Sequence, residues 1–291
     1  MPEIMRKLQH IGQRAEELGA LAIICGGDVG DRHNWTLGLL ADMEEAFDFG
    51  VIPVYGIVGN HDLPAHNYQQ INKRIGIWHL DKKDVIQLMW APKEIGNFVF
   101  WPFHSGTQET IDFVAGSWTP PSDYPGKRKK NVLHIAIIHA PVGPFEAPGM
   151  IDHKSLMLPS FFYAAGFGDI HPGFLPYELL TGVTVFNPGS IYRRTIKEVD
   201  RIPKFAILWS DGRIEYEEIP VPPKELVFDL DGIGDEEDEI FEERIGFAAA
   251  VNAAKLKRDQ LDTREFVRVV GASGNFPLRS IQLLEEELPK R

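Results

Sequence analysis

An α/β fold with buried parallel strands is what this sequence predicts, on three observations. Helical and strand-like segments alternate through the first 60 residues. The strand-like runs are almost wholly apolar, as strands covered on both faces are. Each stops at a glycine followed by a polar side chain.

Residues 2–18 place Ile4, Leu8, Ile11, Ala15 and Leu18 on one helical face, and Gly19 stands where a glycine ends a helix. Residues 21–25 read as a short strand running into Gly26, Gly27 and Asp28. A second helix is predicted over 36–49 and a second strand over 51–58, which runs into "GNHD" at 59–62. Residues 97–103 and 131–138 are strands by composition. Between them, 117–130 is rich in proline, glycine and basic residues and predicts an exposed loop. Residues 161–167 lead into Gly168, Asp169, Ile170 and His171; a strand at 183–186 is closed by Asn187, Pro188, Gly189 and Ser190. The runs 205–209 and 214–219 flank Asp211-Gly212, a hairpin signal. "VPPKE" at 221–225 reads as a linker. It divides a main domain, 1–220, from a small α+β region, 221–291, with strands at 226–230 and 266–270 around an acidic helix over about 235–258.

The 291 residues suffice for a sizeable core. A net charge of −12 argues against a broad basic footprint for nucleic acid, although bound divalent cations invert such a field locally. The run "GKRKK" at 126–130 is either a solvated loop or a phosphate contact. The single cysteine, Cys25, excludes an internal disulfide and suits a reducing compartment. No run is long enough to span a membrane and the N-terminus has no apolar signal core, so a cytoplasmic protein is expected.

Four polar clusters stand at predicted strand ends: Asp28, Asn60 with His61, His139, and Asp169 with His171. In α/β folds ligands bind outside the carboxyl ends of strands. The four clusters therefore converge on one crevice and supply carboxylate, amide oxygen and imidazole. That donor set suits Mn²⁺, Fe or Zn²⁺ better than an all-oxygen Ca²⁺ site. Taken singly, Asp28 is a turn residue, His139 a half-buried histidine, and Asn187-Pro188-Gly189 a plain turn. Asn60 and His61 resist that reading, because unpaired polar groups after an apolar strand are costly. His10, His33, His66, His79, His134 and His153 read as surface or packing residues, and His104, in "WPFHSG", is the one to watch.

The motifs GGD, GNHD, a strand-final histidine and G-x-x-H, in this order, resemble the calcineurin-like metallophosphoesterase superfamily. "FNPGSIYRR" at 186–194, followed by Glu198, resembles the SbcD-type DNA repair nuclease branch. The resemblance implies a β-sandwich flanked by helices, in four αββα layers, with a small C-terminal cap. It makes Asp28 a carboxylate bridging two divalent ions, Mn²⁺ first among them. Asn60, His139 and Asp169 would hold one ion and His171 the other. His61 would face the scissile phosphate, with Asp62 behind it fixing the imidazole tautomer. The implied reaction is phosphodiester hydrolysis, with DNA as substrate, an SbcC-like ATPase as partner, no membrane, and a homodimer as a further expectation.

Two departures accompany the match. Nothing before Asp28 supplies the D-x-H motif of the family's first strand, and Asp169 stands where most members carry histidine. Either that strand lies upstream of Met1, the reading preferred here, or one metal shell is incomplete. His33, in "DRH" at 31–33, is the first substitute ligand to consider. The expectations are an open edge beside 21–25, a tighter first metal than second, and weak or no activity for this chain. A nucleotide or phosphoprotein phosphoesterase and an inactive scaffold stand as alternatives.

Overall fold

The computed structural model describes residues 3–71, 75–122, 132–144, 150–193 and 198–223. The basic run at 126–130 and the C-terminal elements expected after 225 lie outside these residues.

Two sheets face each other. The smaller is parallel, with β1 (Ile23–Cys25), β2 (Val54–Gly56) and β3 (Gln87–Leu88) in that order. The larger contains β4 (Lys93–Ile95), β5 (Phe98–Phe103), β6 (Leu133–His139), β9 (Ala164–Gly168), β10 (Phe174–Glu178) and β11 (Thr184–Asn187), in the order β10-β11-β9-β6-β5-β4. Its four central strands are parallel, and antiparallel strands close both edges. Short strands β7 (Val142–Gly143) and β8 (Ile151–Asp152) pair beside it. The predicted hairpin forms from β12 (Lys204–Leu208) and β13 (Ile214–Glu218).

Alternation along β5 and β6 shows why the sheets stack. Phe98, Phe100, Ile135 and Ile137 point to one face, where Ile24 and Tyr55 of the smaller sheet, and Ile57 just after β2, meet them. Val99, Trp101, Phe103, Ala136 and Ile138 point to the other, against Phe113 of α4 (Gln108–Val114) and Phe162. Ile135 is fully buried, and burying such a side chain contributes about 1.5–3 kcal/mol. On the far face of the smaller sheet lie α1 (Glu3–Glu17), α2 (Leu37–Ala46) and α3 (Gly76–Lys82), through Met5, Leu8, Met43, Ala46 and Leu80. Helix, sheet, sheet, helix is the four-layer order expected. Gly19 ends α1 at φ 63°, and Thr36 caps α2 through its hydroxyl.

The predicted open edge is present: β1 pairs with β2 and, among the described residues, with no strand on its other side. The segment 117–130 is not wholly an exposed loop as expected. Trp118 packs against Trp101, Phe103 and Phe162, because an indole following α4 finds the aromatic side of the larger sheet. No helix of the described residues is long and apolar enough to cross a membrane.

Candidate metal centre

Three strand tips meet at the carboxyl edges of the sheets, and they meet more closely than side chains allow. A Cβ on Gly59 would collide with the Asp28 carboxylate, and one on Gly168 with the Gly26 carbonyl. Glycine is required where backbones approach this closely. Asp28 (φ 54°) and Asp169 (φ 85°) both sit in the left-handed region, which costs a non-glycine residue about 1–3 kcal/mol and is typical of functional sites.

On this frame the side chains of Asp28, His139 and Asp169 gather, with ligand atoms within 4.8 Å of one another. Asn60 joins them: its Oδ1 is 2.8 Å from His139 Nε2, which is also 3.2 Å from Asp28 Oδ2. His139 Nδ1 lies 2.8 Å from the Gly26 carbonyl. That carbonyl can only accept, so Nδ1 keeps its proton and Nε2 is turned to the cluster.

Around His139 Nε2 the cluster collects acceptors. Burial would depress the His139 imidazole, but Asp28 outweighs it and holds the pKa up at about 9. Burial would raise Asp28, yet hydrogen bonding and charge from His139 bring it below the usual carboxylate range. Asp169 is raised by burial, with Asp28 adding to the effect and His139 opposing it. Two carboxylates, an amide oxygen and an imidazole nitrogen around one point fit a divalent cation of borderline softness.

His171 is beside this group and not within it. Its Nδ1 lies 3.3 Å from Glu198 Oε1. The loop bearing Asp169 and His171 is held from the next strand end: the Asn187 amide donates to the Ile170 carbonyl at 3.0 Å, and the Ser190 N–H to that of His171 at 2.9 Å. The turn at 187–189 is therefore also a support for the site. Glu198 stands at the end of the segment that resembles the nuclease branch, and in the fold it is the carboxylate beside His171. The guanidinium of Arg201, anchored on the Ser190 and Tyr192 carbonyls, stands 3.6 Å from the same Glu198 oxygen.

His61 borders the cluster. Its N–H donates to Asp28 Oδ1 at 2.9 Å, while its ring, about one third exposed, lies 3.2 Å by Nδ1 from the Asp31 carbonyl and edge-on to His66. The expectation for Asp62 is corrected. Asp62 is 1% exposed, and its Oδ2 accepts the N–H groups of Asp28 at 2.9 Å and Gly59 at 2.8 Å. Its carboxylate buckles two strand tips together and does not orient the His61 imidazole. A fully buried carboxylate finds its donors in the tight Gly27–Gly59 approach, whereas the His61 ring turns outward. Burial and then the Asp28 charge push Asp62 up to about 7. His33 is not in the cluster; its carbonyl accepts the Gly76 N–H. His134 and His153 are packing residues as expected, stacked on Phe161 and Phe174.

The calcineurin-like phosphoesterase family model matches residues 1–159, a span that includes Asp28, Asn60, His61 and His139. No curated protein matches the chain.

Proposed function

The chain belongs to the calcineurin-like phosphoesterase family, whose members are metal-dependent hydrolases of phosphoester bonds, and from that premise we propose that it is a two-metal phosphodiesterase acting on DNA, of the SbcD type. The observation that carries this reading is the convergence of Asp28, Asn60, His139 and Asp169 on one point, with His61 at its border.

Asp28, Asn60, His139 and Asp169 would hold one cation, and Asp28 with His171 a second, Mn²⁺ being the first choice for both. Divalent cations there would neutralise phosphate charge and make water nucleophilic at neutral pH. The remaining work falls to the protein. Asp62 keeps the tips of the first two strands in place. Gly26 fixes the His139 tautomer. His61, partly open to solvent, delivers a proton to the leaving oxygen. Docking of an SbcC-like ATPase on the region after 220, and a cytoplasmic location, belong to the same reading.

Metal content and hydrolysis of bis-p-nitrophenyl phosphate and linear DNA with Mn²⁺ test it. Expected are bound metal and weak diester cleavage, with one cation held more tightly than the other, because His171 stands apart from the cluster. Cleavage of phosphomonoesters alone would favour the nucleotide or phosphoprotein reading; a metal-free, inert protein would favour the scaffold.

A further inference from the structure

β5 and β6 run parallel and in register, with Phe103 opposite Ile138. The next residues, His104 and His139, therefore stand side by side at the sheet edge, about one strand spacing (~4.8 Å) apart. Both rings cross to the facing sheet. His139 reaches Gly26 and Asn60; His104 Nδ1 accepts the Val58 N–H at 3.0 Å, and the Ser105 N–H returns to the Val58 carbonyl at 3.0 Å. Val58 is two residues from Asn60, so His104 is part of the wall of the metal centre.

That wall carries a group of aromatic rings. His104 is 7% exposed, with the Trp90 ring at 4.8 Å and the Tyr68 ring stacked at 5.8 Å; Trp78 follows at 6.0 Å from Trp90. Trp90 itself is 46% exposed. An open indole backed by an imidazole that is hydrogen-bonded in place is a pre-formed stacking surface. Tyr68 is on the loop that leaves Asn60 and His61, which joins the rings to the site from a second side.

The surroundings select what can lie there. The Glu109 carboxylate is near enough to Tyr68 to add to the rise that burial causes in its hydroxyl pKa. That carboxylate makes the shelf a poor place for a phosphate, whereas the exposed indole face suits an uncharged ring. With a net charge of −12, the chain has little general attraction for a polyanion. Contacts indifferent to charge, base stacking among them, can then add to what the metal centre contributes.

We propose that Trp90, supported by His104 and Tyr68, is a nucleobase-binding shelf on which a base close to the scissile phosphate stacks. The inference rests on the nuclease reading above. It adds that the strand must present a base free of its own neighbours there, as in a single strand or a frayed end.

The test is binding of a fluorescein-labelled, phosphorothioate-linked oligothymidylate and of its abasic counterpart, by anisotropy, on the full chain with Mn²⁺. Stacking of one base implies that the wild type prefers the thymidylate by about 5–150-fold. Trp90→Ala should bind both oligomers at the abasic level, while Trp90→Phe should keep most of the preference. An unchanged thermal midpoint separates this from misfolding, and Tyr68→Ala provides a second, weaker variant should Trp90→Ala fail to fold. A wild type that prefers the thymidylate while Trp90→Ala does so equally overturns the shelf and leaves the nuclease reading standing. Equal wild-type binding of both oligomers overturns the shelf as well. A wild type that binds neither overturns the nuclease reading, and the shelf with it.

Discussion

Replacing Asp62 by alanine and by asparagine separates two roles for this carboxylate. Its Oδ2 accepts from Asp28 and Gly59, at 2.9 and 2.8 Å. Alanine leaves both amides without an acceptor, and each buried orphan costs about 1–3 kcal/mol, so about 2–6 kcal/mol together. Asparagine keeps an acceptor oxygen there and removes a charge that burial and Asp28 oppose. The sign of the pH effect follows from the raised pKa, about 7 against an ordinary 3.8. Between those values the folded state keeps a proton that the unfolded state has released. Stability from this source is full below about 4 and is lost as pH rises towards 7, by an amount on the order of 4 kcal/mol. Chemical denaturation in EDTA at pH 5 and pH 8 should find Asp62→Asn at or above wild type at pH 8, with a flatter pH slope, and Asp62→Ala well below it at both. Turnover with Mn²⁺ should survive in the asparagine variant. Had Asp62 served to orient His61, asparagine would preserve the fold and lose turnover; that result, or equal stability of the two variants, would refute the buckle.

Three further outcomes are expected. His61→Ala should retain bound metal by elemental analysis while turnover falls roughly 10²–10⁴-fold, and loss of metal with activity would make His61 a ligand. If His171 holds the second cation as proposed, Glu198→Ala should weaken one of two calorimetric Mn²⁺ sites by about 10–100-fold, because the carboxylate 3.3 Å from His171 Nδ1 would fix that ring's orientation; Glu198→Gln should restore part of it. His104, pushed down to about 4 by burial and only partly restored by the Met89 backbone, resists protonation that the unfolded chain accepts at about 6.5. Its stability contribution is therefore whole above 6.5 and lost as pH falls towards 4, a slope in the thermal midpoint that His104→Gln should flatten.

Much of the frame was legible because it obeys short-range rules. Strands buried on both faces leave continuous apolar runs, and β1, β2, β5, β6, β9 and β11 all fall within or beside runs recognisable in the sequence. The helices α3 and α4 were not recognised: each has seven residues, two turns, too few for an amphipathic period to stand out. Asp62 was misjudged for a different reason. Its sequence neighbour is His61, but one of its two donors, the Asp28 N–H, is 34 residues away. Adjacency in sequence suggested a partner that the folded backbone does not supply. Trp90 lacked any motif; it lies between β3 and β4 and meets the His104 ring, whose own place follows from the register of β5 against β6.

That register also explains why the centre sits where it does. Two parallel strands ending in histidine, in step, present two imidazoles to the facing sheet, and the difference between them lies in what they meet. His104 meets a backbone N–H, which satisfies one ring nitrogen, and burial holds its pKa down at about 4. His139 meets a carbonyl, a carboxylate and an amide oxygen, all acceptors, which demand positive charge. The first histidine is thereby a fixed support, and the second stands in the group that could hold a metal ion. A cation that binds the folded chain alone would stabilise it by about 2.7 kcal/mol at a hundredfold excess over its dissociation constant. That is comparable with the strain of placing Asp28 and Asp169 in the left-handed region. A divalent cation held by these carboxylates would thus offset the backbone distortion that aims them.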